Sequence, residues 1–304
     1  MENINYFFSN RNLAIFLLII SSISISFGGL IMRNIHFADA WQITFYRSLA
    51  FTFSIALILS YKNRSSTLST IKKVGYAGVM GGILLMGANL FFIQAFANTS
   101  IANTLFTLSL IPFITAVLAF IFLKEKLSLR TFAIMLVALF GILIMINEGI
   151  KTGDLFGNIM AIGCAFCFSS FTIVIRKFRN IDMIPTLLIS GIIIAVVSFI
   201  LNSGNLTIPL QDVLLCFLWG GLLSGFVNSV FIYAARFLNA SEVTFFMLLE
   251  LSLGPFWVWL FLNETIALET LFGGIIVMSS VAVYSFIEIY ISKITMRKNI
   301  TLPT

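Results

Sequence analysis

Phe122-Leu123-Lys124-Glu125 occurs a second time, 139 positions further along the chain, as Phe261-Leu262-Asn263-Glu264. The residues before this stretch repeat at the same offset. A match sustained over so many positions indicates that the chain is built from a duplicated unit. The fold therefore depends on the architecture of one copy of that unit. Identical pairs include Gly81/Gly220, Gly82/Gly221, Asn89/Asn228, Phe92/Phe231, Ala95/Ala234 and Phe106/Phe245.

The composition excludes a water-soluble protein. Of the 304 residues, 60% are hydrophobic and 10% are charged, whereas soluble domains carry about 25% charged residues. Mean hydropathy is +1.06. The net charge of +6 does not indicate nucleic-acid binding, because the basic residues lie in short connectors rather than on one solvated face. We therefore expect an integral membrane protein that contacts the lipid bilayer and binds no nucleic acid.

The three cysteines do not indicate redox or metal chemistry. Cys164, Cys167 and Cys216 all fall inside apolar runs. The first two have C-x-x-C spacing, but a zinc or thioredoxin-like site needs a second pair or a flanking strand and access to solvent. No spacing of His, Cys or carboxylate residues suits metal binding or nucleophilic catalysis. The sequence therefore predicts no catalytic residues, no metal and no cofactor.

Ten apolar runs are long enough to cross a bilayer, since a spanning helix needs about 20 mainly apolar residues. Continuous runs of this length favour helices over the shorter, alternating strands of a membrane barrel. The sequence predicts an all-α integral membrane fold with ten transmembrane helices in two five-helix repeats, residues 13–147 and 156–290. The ten runs cover residues 13–32, 40–60, 74–97, 101–123, 129–147, 156–175, 184–202, 213–235, 241–262 and 267–290.

Basic residues are concentrated on one side of this predicted membrane protein. With the N-terminus in the cytoplasm, inside segments carry most of the Lys and Arg residues, and outside loops carry only Arg33 and Lys151. Cytoplasmic loops of membrane proteins are enriched in Lys and Arg. We therefore expect a multi-pass protein with both termini in the cytoplasm.

An odd number of crossings in each repeat places the second repeat upside down. Ile31-Met32-Arg33 aligns with Val174-Ile175-Arg176 at an offset of 143, and the first stretch falls outside while the second falls inside. Inverted repeats can exchange shapes and thereby open a central site to either side of the membrane. The sequence thus favours alternating access.

Two further features complete a recognisable pattern. Pro112 precedes Glu125 in the fourth helix, and the ninth contains Leu249-Glu250-Leu251-Ser252-Leu253-Gly254-Pro255-Phe256-Trp257-Val258-Trp259-Leu260. With the two repeats and the Phe-Leu-x-Glu helix ends, the chain resembles the EamA family of the drug/metabolite transporter superfamily over residues 13–290. The resemblance implies a carrier for small metabolites, often amino acids and their relatives, in a bacterial inner membrane.

Arg47 and Glu250 are charged residues near the middle of predicted spans. At 1.5 Å per residue, Arg47 lies about 10 Å from the outer end of the second helix and Glu250 about 14 Å from the inner end of the ninth. Charges at this depth are costly and mark functional sites. Neither is duplicated, because Arg47 aligns with Ser190 and Glu250 with Ile111.

We predict that these two charges face one central cavity and hold the carboxylate and the amine of a zwitterionic metabolite, or pair with each other when it is empty. The structural alternatives are a permanent Arg47–Glu250 pair bracing two helices and separate hydrogen bonds to backbone carbonyls. Glu250 is also a candidate for proton coupling, because a carboxylic acid within the membrane can carry a proton.

Further residues are candidates for the cavity wall. Asn89 and Asn228 occupy equivalent places in the third and eighth helices, where an interhelical hydrogen bond is the alternative to cargo contact. The remaining candidates are Tyr46, Gln94, Ser109, Tyr233 and Trp257. Each of these also suits helix packing or, for the tryptophan, an interfacial aromatic belt.

The sequence as a whole favours a secondary transporter for a small polar or zwitterionic, amino-acid-like metabolite. A multidrug exporter or a lipid-linked sugar flippase of the same superfamily is the alternative, and it predicts a mainly aromatic, uncharged cavity that opens toward lipid. Association into a homodimer is compatible with the sequence, which leaves the cargo and the direction of transport open.

Overall fold

A computed structural model describes residues 10–63, 67–99, 104, 107–146, 155–262 and 268–300, and the regular elements of these ranges are all helical. We number the helices α1 to α10. The first half contains α1 (Asn10–Ser26 and Gly28–Arg33), α2 (Ala40–Asn63), α3 (Thr67–Asn98), α4 (Ile111–Leu123) and α5 (Leu129–Ile146). The second half contains α6 (Leu155–Lys177), α7 (Ile184–Leu201), α8 (Leu210–Phe217, the π-helical turn Leu218–Ser224 and Gly225–Ala234), α9 (Ala240–Phe245 and Met247–Leu262) and α10 (Leu268–Ile300).

Eight of these helices are long and apolar enough to cross a membrane. The other two apolar helices are shorter, at Thr107–Leu123 and Leu129–Ile144. Residues 101–103, 105, 106 and 147, which the sequence assigns to the spans of α4 and α5, lie outside the described residues. The all-helical prediction is confirmed for the described ranges, with eight full-length spans where the sequence predicts ten.

The two halves interlock. α2 packs on α7, α4 on α9 and α5 on α10, so each of these helices contacts its counterpart in the other half. The other main contacts between the halves come in equivalent pairs. α3 packs on α6 and α7 as α8 packs on α1 and α2, and α4 packs on α6 as α9 packs on α1. Exchanging the halves leaves this contact pattern nearly unchanged, as expected for a duplicated unit.

Small residues let α3 and α6 approach closely. A Cβ atom on Gly157 would lie 2.6 Å from the backbone carbonyl carbon of Asn98, and one on Gly163 would lie 3.0 Å from the ring of Phe91. Glycine at such positions permits close packing of membrane helices. The Thr99 hydroxyl also donates to Oδ1 of Asn158 at 2.9 Å, so this helix pair is closed at the end of α3.

The Phe-Leu-Lys-Glu stretch ends α4 and turns its glutamate back toward the bundle. Lys124 is in the left-handed region with φ +55°, and the Glu125 N–H returns to the carbonyl of Ala119 at 3.2 Å. This geometry ends many helices and satisfies their last carbonyls. The Glu125 carboxylate then lies 2.6 Å from Nε of Arg176 and accepts the Ala240 N–H at 3.1 Å.

Two arginines join the helix ends on this side of the bundle. Arg176 also donates to the carbonyls of Ala235 and Arg236 at 2.8 and 3.1 Å, which connects α6 with the end of α8. Arg11 donates to both carboxylate oxygens of Glu242 at 3.1 Å and to Glu288 at 2.9 Å, which connects α1, α9 and α10. Charged groups therefore hold the ends of five helices together and attach them to α10.

Candidate functional site

A cavity of about 910 Å³ lies among α1, α2, α3, α4, α6, α8 and α9. At one end of the bundle its wall includes Arg33, Phe96 and Trp259, which lie at or near helix ends. Toward the other end the wall stops at Leu18 and Val243, inside the layer of ion pairs formed by the two arginines. The cavity thus extends toward the Arg33 end and is closed at the opposite end.

Arg47 is held on the cavity wall by contacts with both halves. Its Nη2 donates to Oδ1 of Asn89 in α3 at 2.6 Å. Its guanidinium carbon lies 4.6 Å from the centre of the Trp219 ring in α8, within the range of a cation–π interaction. Its backbone oxygen occupies the space that a side chain on Gly220 would need. None of the described carboxylates lies within ion-pair distance of this guanidinium.

Asn89 and Asn228 form the same local hydrogen bond but differ at their amide oxygens. Nδ2 of Asn89 donates to the carbonyl of Leu85, and Nδ2 of Asn228 donates to that of Ser224, both at 2.9 Å. The Asn89 oxygen accepts a hydrogen bond from Arg47. The Asn228 oxygen accepts no hydrogen bond from any described residue. All five residues also line a smaller cavity of about 50 Å³ that adjoins the large one.

Glu250 lies on the wall of the large cavity, on α9. Its half-buried carboxylate forms no hydrogen bond or ion pair within the described ranges. Arg47 lies on the same cavity wall, and no salt bridge joins the two side chains. The cavity wall therefore carries one cation and one anion that are not paired with each other, and the permanent Arg47–Glu250 brace is not formed in this structure.

The model of the EamA-like transporter family matches this chain at residues 12–147 and again at residues 155–286. The chain belongs to the EamA-like transporter family. It is therefore a multi-pass membrane protein of the drug/metabolite transporter superfamily, and the resemblance seen in the sequence is confirmed.

A solved crystal structure shares the fold of this EamA-like protein. The two align with a TM-score of 0.78 and 15% sequence identity, over 91% of this chain and 98% of the other. At this identity the likeness shows the fold alone. No curated protein is significantly similar in sequence to this chain.

A π-helical turn distinguishes α8 from its counterpart in this EamA-like transporter. The turn covers Leu218–Ser224, whereas residues 79–85, the equivalent stretch of α3, are regular α-helix. Such turns are often found at functional sites. This one carries Trp219, and the equivalent residue of α3 is Met80. The backbones of the two repeats therefore differ where Arg47 contacts α8.

The tryptophan that faces the cavity is Trp219, whereas the sequence favoured Trp257. The Trp257 ring instead stacks on Phe27 with 4.4 Å between ring centroids, and the residue lies outside the cavity lining. The Trp219 indole packs against Gly28, where a Cβ would lie 2.8 Å from the indole nitrogen. The adjacent Gly220 and Gly221 instead pack against the α2 backbone, at Arg47 and Ala50.

Other predicted wall residues also lie outside the lining of the large cavity. The Tyr46 hydroxyl donates to the carbonyl of Leu206 at 2.7 Å, and the Tyr233 ring packs against Phe237. The structure thus brings Arg47, Glu250, Asn89 and Asn228 to one cavity, and it places four further candidates elsewhere: Tyr46, Gln94, Ser109 and Tyr233.

Much of the remaining wall is aromatic or carries small hydroxyls that the sequence analysis did not select. Ser21, Ser22 and Ser26 of α1 line the cavity, and the serine-rich stretch of α1 is the signal that was available for them. The aromatic residues of the wall are Phe92, Phe96, Phe168, Trp219, Phe231, Phe246 and Trp259. The cavity therefore combines a small charged region with a large apolar one.

Proposed function

We propose that this protein is a secondary carrier that moves a small zwitterionic metabolite of the amino-acid class across the bacterial inner membrane. The observation that carries this proposal is the presence of Arg47 and Glu250 on one cavity wall without a salt bridge between them. The guanidinium is suited to a carboxylate, and the Glu250 carboxylate to an ammonium group. Each charge of the cargo then offsets the cost of keeping its partner away from bulk water.

The size and lining of the cavity indicate a cargo with an apolar side chain. Ligand pockets are mostly apolar, with a few polar groups that fix orientation. Here the aromatic rings supply the apolar surface, and the two charges supply the orientation. A volume of about 910 Å³ leaves room for a side chain beyond the amino and carboxyl groups.

Transport in this proposal proceeds by alternating access of two inverted repeats with both termini in the cytoplasm. In that orientation the Arg33 end is outside, and the ion pairs of Arg11 and Arg176 close the cytoplasmic end. When the halves exchange shapes, the α1–α8 pair closes and its equivalent, the α3–α6 pair, opens. The symmetric contact pattern between the halves supports this exchange.

Glu250 also couples transport to protons in this proposal. A proton and the ammonium of the cargo compete for the same carboxylate, because protonation removes the charge that attracts the ammonium. Glu250 supplies the carboxylate of the cavity lining. Uptake into vesicles at two external pH values measures this coupling directly.

The binding proposal is tested with leucine and two analogues that each lack one charge. Leucinamide lacks the carboxylate, and 4-methylpentanoate lacks the ammonium. We expect leucine to raise the melting temperature of the purified wild-type protein most. Arg47→Gln abolishes the advantage of leucine over leucinamide, and Glu250→Gln abolishes its advantage over 4-methylpentanoate. Lys62→Gln is the matched control, because it removes a charge whose side chain is 45% exposed and lies outside the cavity lining.

Stable Arg47→Gln and Glu250→Gln proteins that discriminate these ligands as the wild type does would overturn the proposal. The aromatic wall favours a second candidate, an exporter of bulky apolar cations. That function predicts stabilisation by an organic cation such as tetraphenylphosphonium and no response to zwitterions. Arg47 opposes it, because a guanidinium on the wall repels cationic cargo.

A further inference from the structure

We infer that Asn228 recognises the N–H groups of the cargo ammonium. The site then selects α-amino acids that keep at least one N–H on the ammonium and rejects their N,N,N-trimethyl counterparts. This inference rests on the proposed function and adds a specificity-determining residue to it.

Asn228 and Asn89 occupy equivalent positions in the two repeats, but their amide oxygens differ in hydrogen bonding. Each donates through Nδ2 to the carbonyl four residues earlier in its own helix. This bond fixes both amide groups in the same orientation relative to their helices, so each presents an oxygen to the site. The Asn89 oxygen accepts a hydrogen bond from Arg47, so Asn89 holds the guanidinium in place. The oxygen of Asn228 remains as an acceptor.

The Asn228 oxygen belongs to the same small chamber as the guanidinium. Asn228 and Arg47 both line the cavity of about 50 Å³ and the adjoining large cavity. The hydroxyls of Thr44 and Ser48 also reach this chamber, but each donates to a carbonyl of its own helix, at 2.7 and 2.8 Å. Those hydroxyls can still accept, but the amide oxygen of Asn228 can only accept, and no described residue donates to it.

The geometry of an α-amino acid brings its ammonium to this oxygen. One carbon atom separates the carboxylate from the nitrogen, so a carboxylate bound to Arg47 holds the N–H groups beside the same chamber. Glu250, on the facing helix α9, attracts the positive charge of the ammonium. Glu250 thus selects for charge, and Asn228 selects for a hydrogen-bond donor.

A trimethylammonium group distinguishes the requirement for a positive charge from the requirement for an N–H donor. It has the same charge as an ammonium but no N–H, so it leaves the Asn228 oxygen without a partner when the site is occupied. Loss of a hydrogen bond to a charged group corresponds to roughly a 10-fold to 100-fold loss of affinity. A site built around such a bond rejects ligands that lack the donor.

The first test uses the wild-type protein and titration calorimetry with leucine and its N-methyl, N,N-dimethyl and N,N,N-trimethyl derivatives. We expect the dissociation constants of the first three ligands to agree within a few-fold, because each keeps an N–H. The trimethyl derivative binds about 10-fold or more weakly. A gradual loss of affinity with each methyl group, or equal affinity for all four, would overturn the inference.

Two asparagine variants distinguish hydrogen bonding from steric exclusion. Asn228→Ala weakens leucine binding about 10-fold and leaves binding of the trimethyl derivative unchanged. Asn89→Ala, the symmetry-matched control, weakens both ligands to the same degree, because Arg47 loses its support while the Asn228 oxygen stays. If Asn228→Ala instead strengthens binding of the trimethyl derivative and leaves leucine unaffected, the effect is steric and the inference is wrong.

These outcomes also separate failure of the inference from failure of the proposed function. Suppose that Arg47→Gln and Glu250→Gln lose their discrimination between leucine and its single-charge analogues while Asn228→Ala keeps the wild-type ratio between leucine and its trimethyl derivative. That result would support the zwitterion site and contradict the role of Asn228. If Arg47→Gln and Glu250→Gln bind leucine as the wild type does, both fall together.

Discussion

The α3–α6 pair and the α1–α8 pair occupy equivalent positions in the duplicated fold, but only the first is closed along its length. Gly157 and Gly163 let α6 contact α3 closely, and the aligned residues of α1 are Ala14 and Ile20. The cavity lies between α1 and α8, and its wall draws many residues from both helices. The two copies therefore share a backbone plan but differ in how tightly each interface can pack.

Residues that are duplicated belong to the scaffold, whereas residues that are not duplicated supply the charges of the cavity wall. Asn89 and Asn228 are duplicated, and both form the same bond within their own helix. Arg47, Trp219 and Glu250 are not duplicated, and they supply the charges and the cation–π contact of the cavity. Duplication thus accounts for the scaffold, and the departures from it account for the asymmetric cavity wall.

Breaking the closed end of the bundle produces the largest expected effect. Arg176 is 8% exposed and contacts Glu125 and two backbone carbonyls. Arg176→Gln leaves the carboxylate partly buried without its partner, which costs about 3–5 kcal/mol of stability for a buried ion pair. The measurement is the free energy of unfolding in detergent. A loss below about 1 kcal/mol, typical of exposed pairs, would contradict the role of this network.

The glycine contrast is tested with a single methyl group. Gly157→Ala places a Cβ 2.6 Å from the α3 backbone, and overpacking of this kind costs about 1–3 kcal/mol. Gly29→Ala is the matched control, because nothing lies within 4 Å of its Cβ position. We expect Gly157→Ala to lower the melting temperature and Gly29→Ala to leave it near the wild-type value. Equal melting temperatures would show that α3 and α6 do not require close contact.

The pH dependence of leucine binding tests the role of Glu250, the carboxylate that is not duplicated. Protonation of Glu250 removes its charge, so the affinity for leucine falls as the pH falls. A lost charged hydrogen bond corresponds to about 1.5–3 kcal/mol, or roughly 10-fold or more in affinity. We expect this dependence in titration calorimetry of the wild-type protein and its absence in Glu250→Gln. A variant that keeps the wild-type profile would assign the effect to another group.

Removing the exposed ion pair beside the α2–α7 contact is expected to have the smallest effect on the free energy of unfolding. Lys62 pairs with Asp182 at 2.6 Å, but its side chain is 45% exposed. Exposed pairs contribute about 0–1 kcal/mol. We expect Lys62→Ala to change the free energy of unfolding by less than about 1 kcal/mol. A loss comparable to that of Arg176→Gln would mean that burial does not distinguish the two ion pairs.

The sequence predicted the helices because the bilayer restricts the backbone. Spanning segments must satisfy their own hydrogen bonds, so a long apolar run allows little besides a helix. The repeat was visible because identical residues recur at one offset, as in Asn89 and Asn228.

The cavity was predictable only in part. Arg47 and Glu250 were identified because charge within an apolar run is rare and costly. Trp219 was not selected because a tryptophan near a predicted helix end also suits an interfacial aromatic belt, and hydrophobic periodicity does not reveal a π-helical turn. The serines of α1 were missed because Ser and Thr hydroxyls often bond to their own helix backbone, as Ser21 does with the carbonyl of Leu18.

Exchange across a vesicle membrane is the decisive measurement for a carrier built around Arg47 and Glu250. Purified protein is reconstituted, the vesicles are loaded with the unlabelled zwitterion that stabilises the protein most, and entry of the labelled zwitterion is followed. We expect internal zwitterion to accelerate entry of the labelled zwitterion, and Arg47→Gln and Glu250→Gln to abolish this acceleration. Entry that is independent of internal zwitterion, or acceleration that persists in both variants, would contradict a carrier built around these two charges.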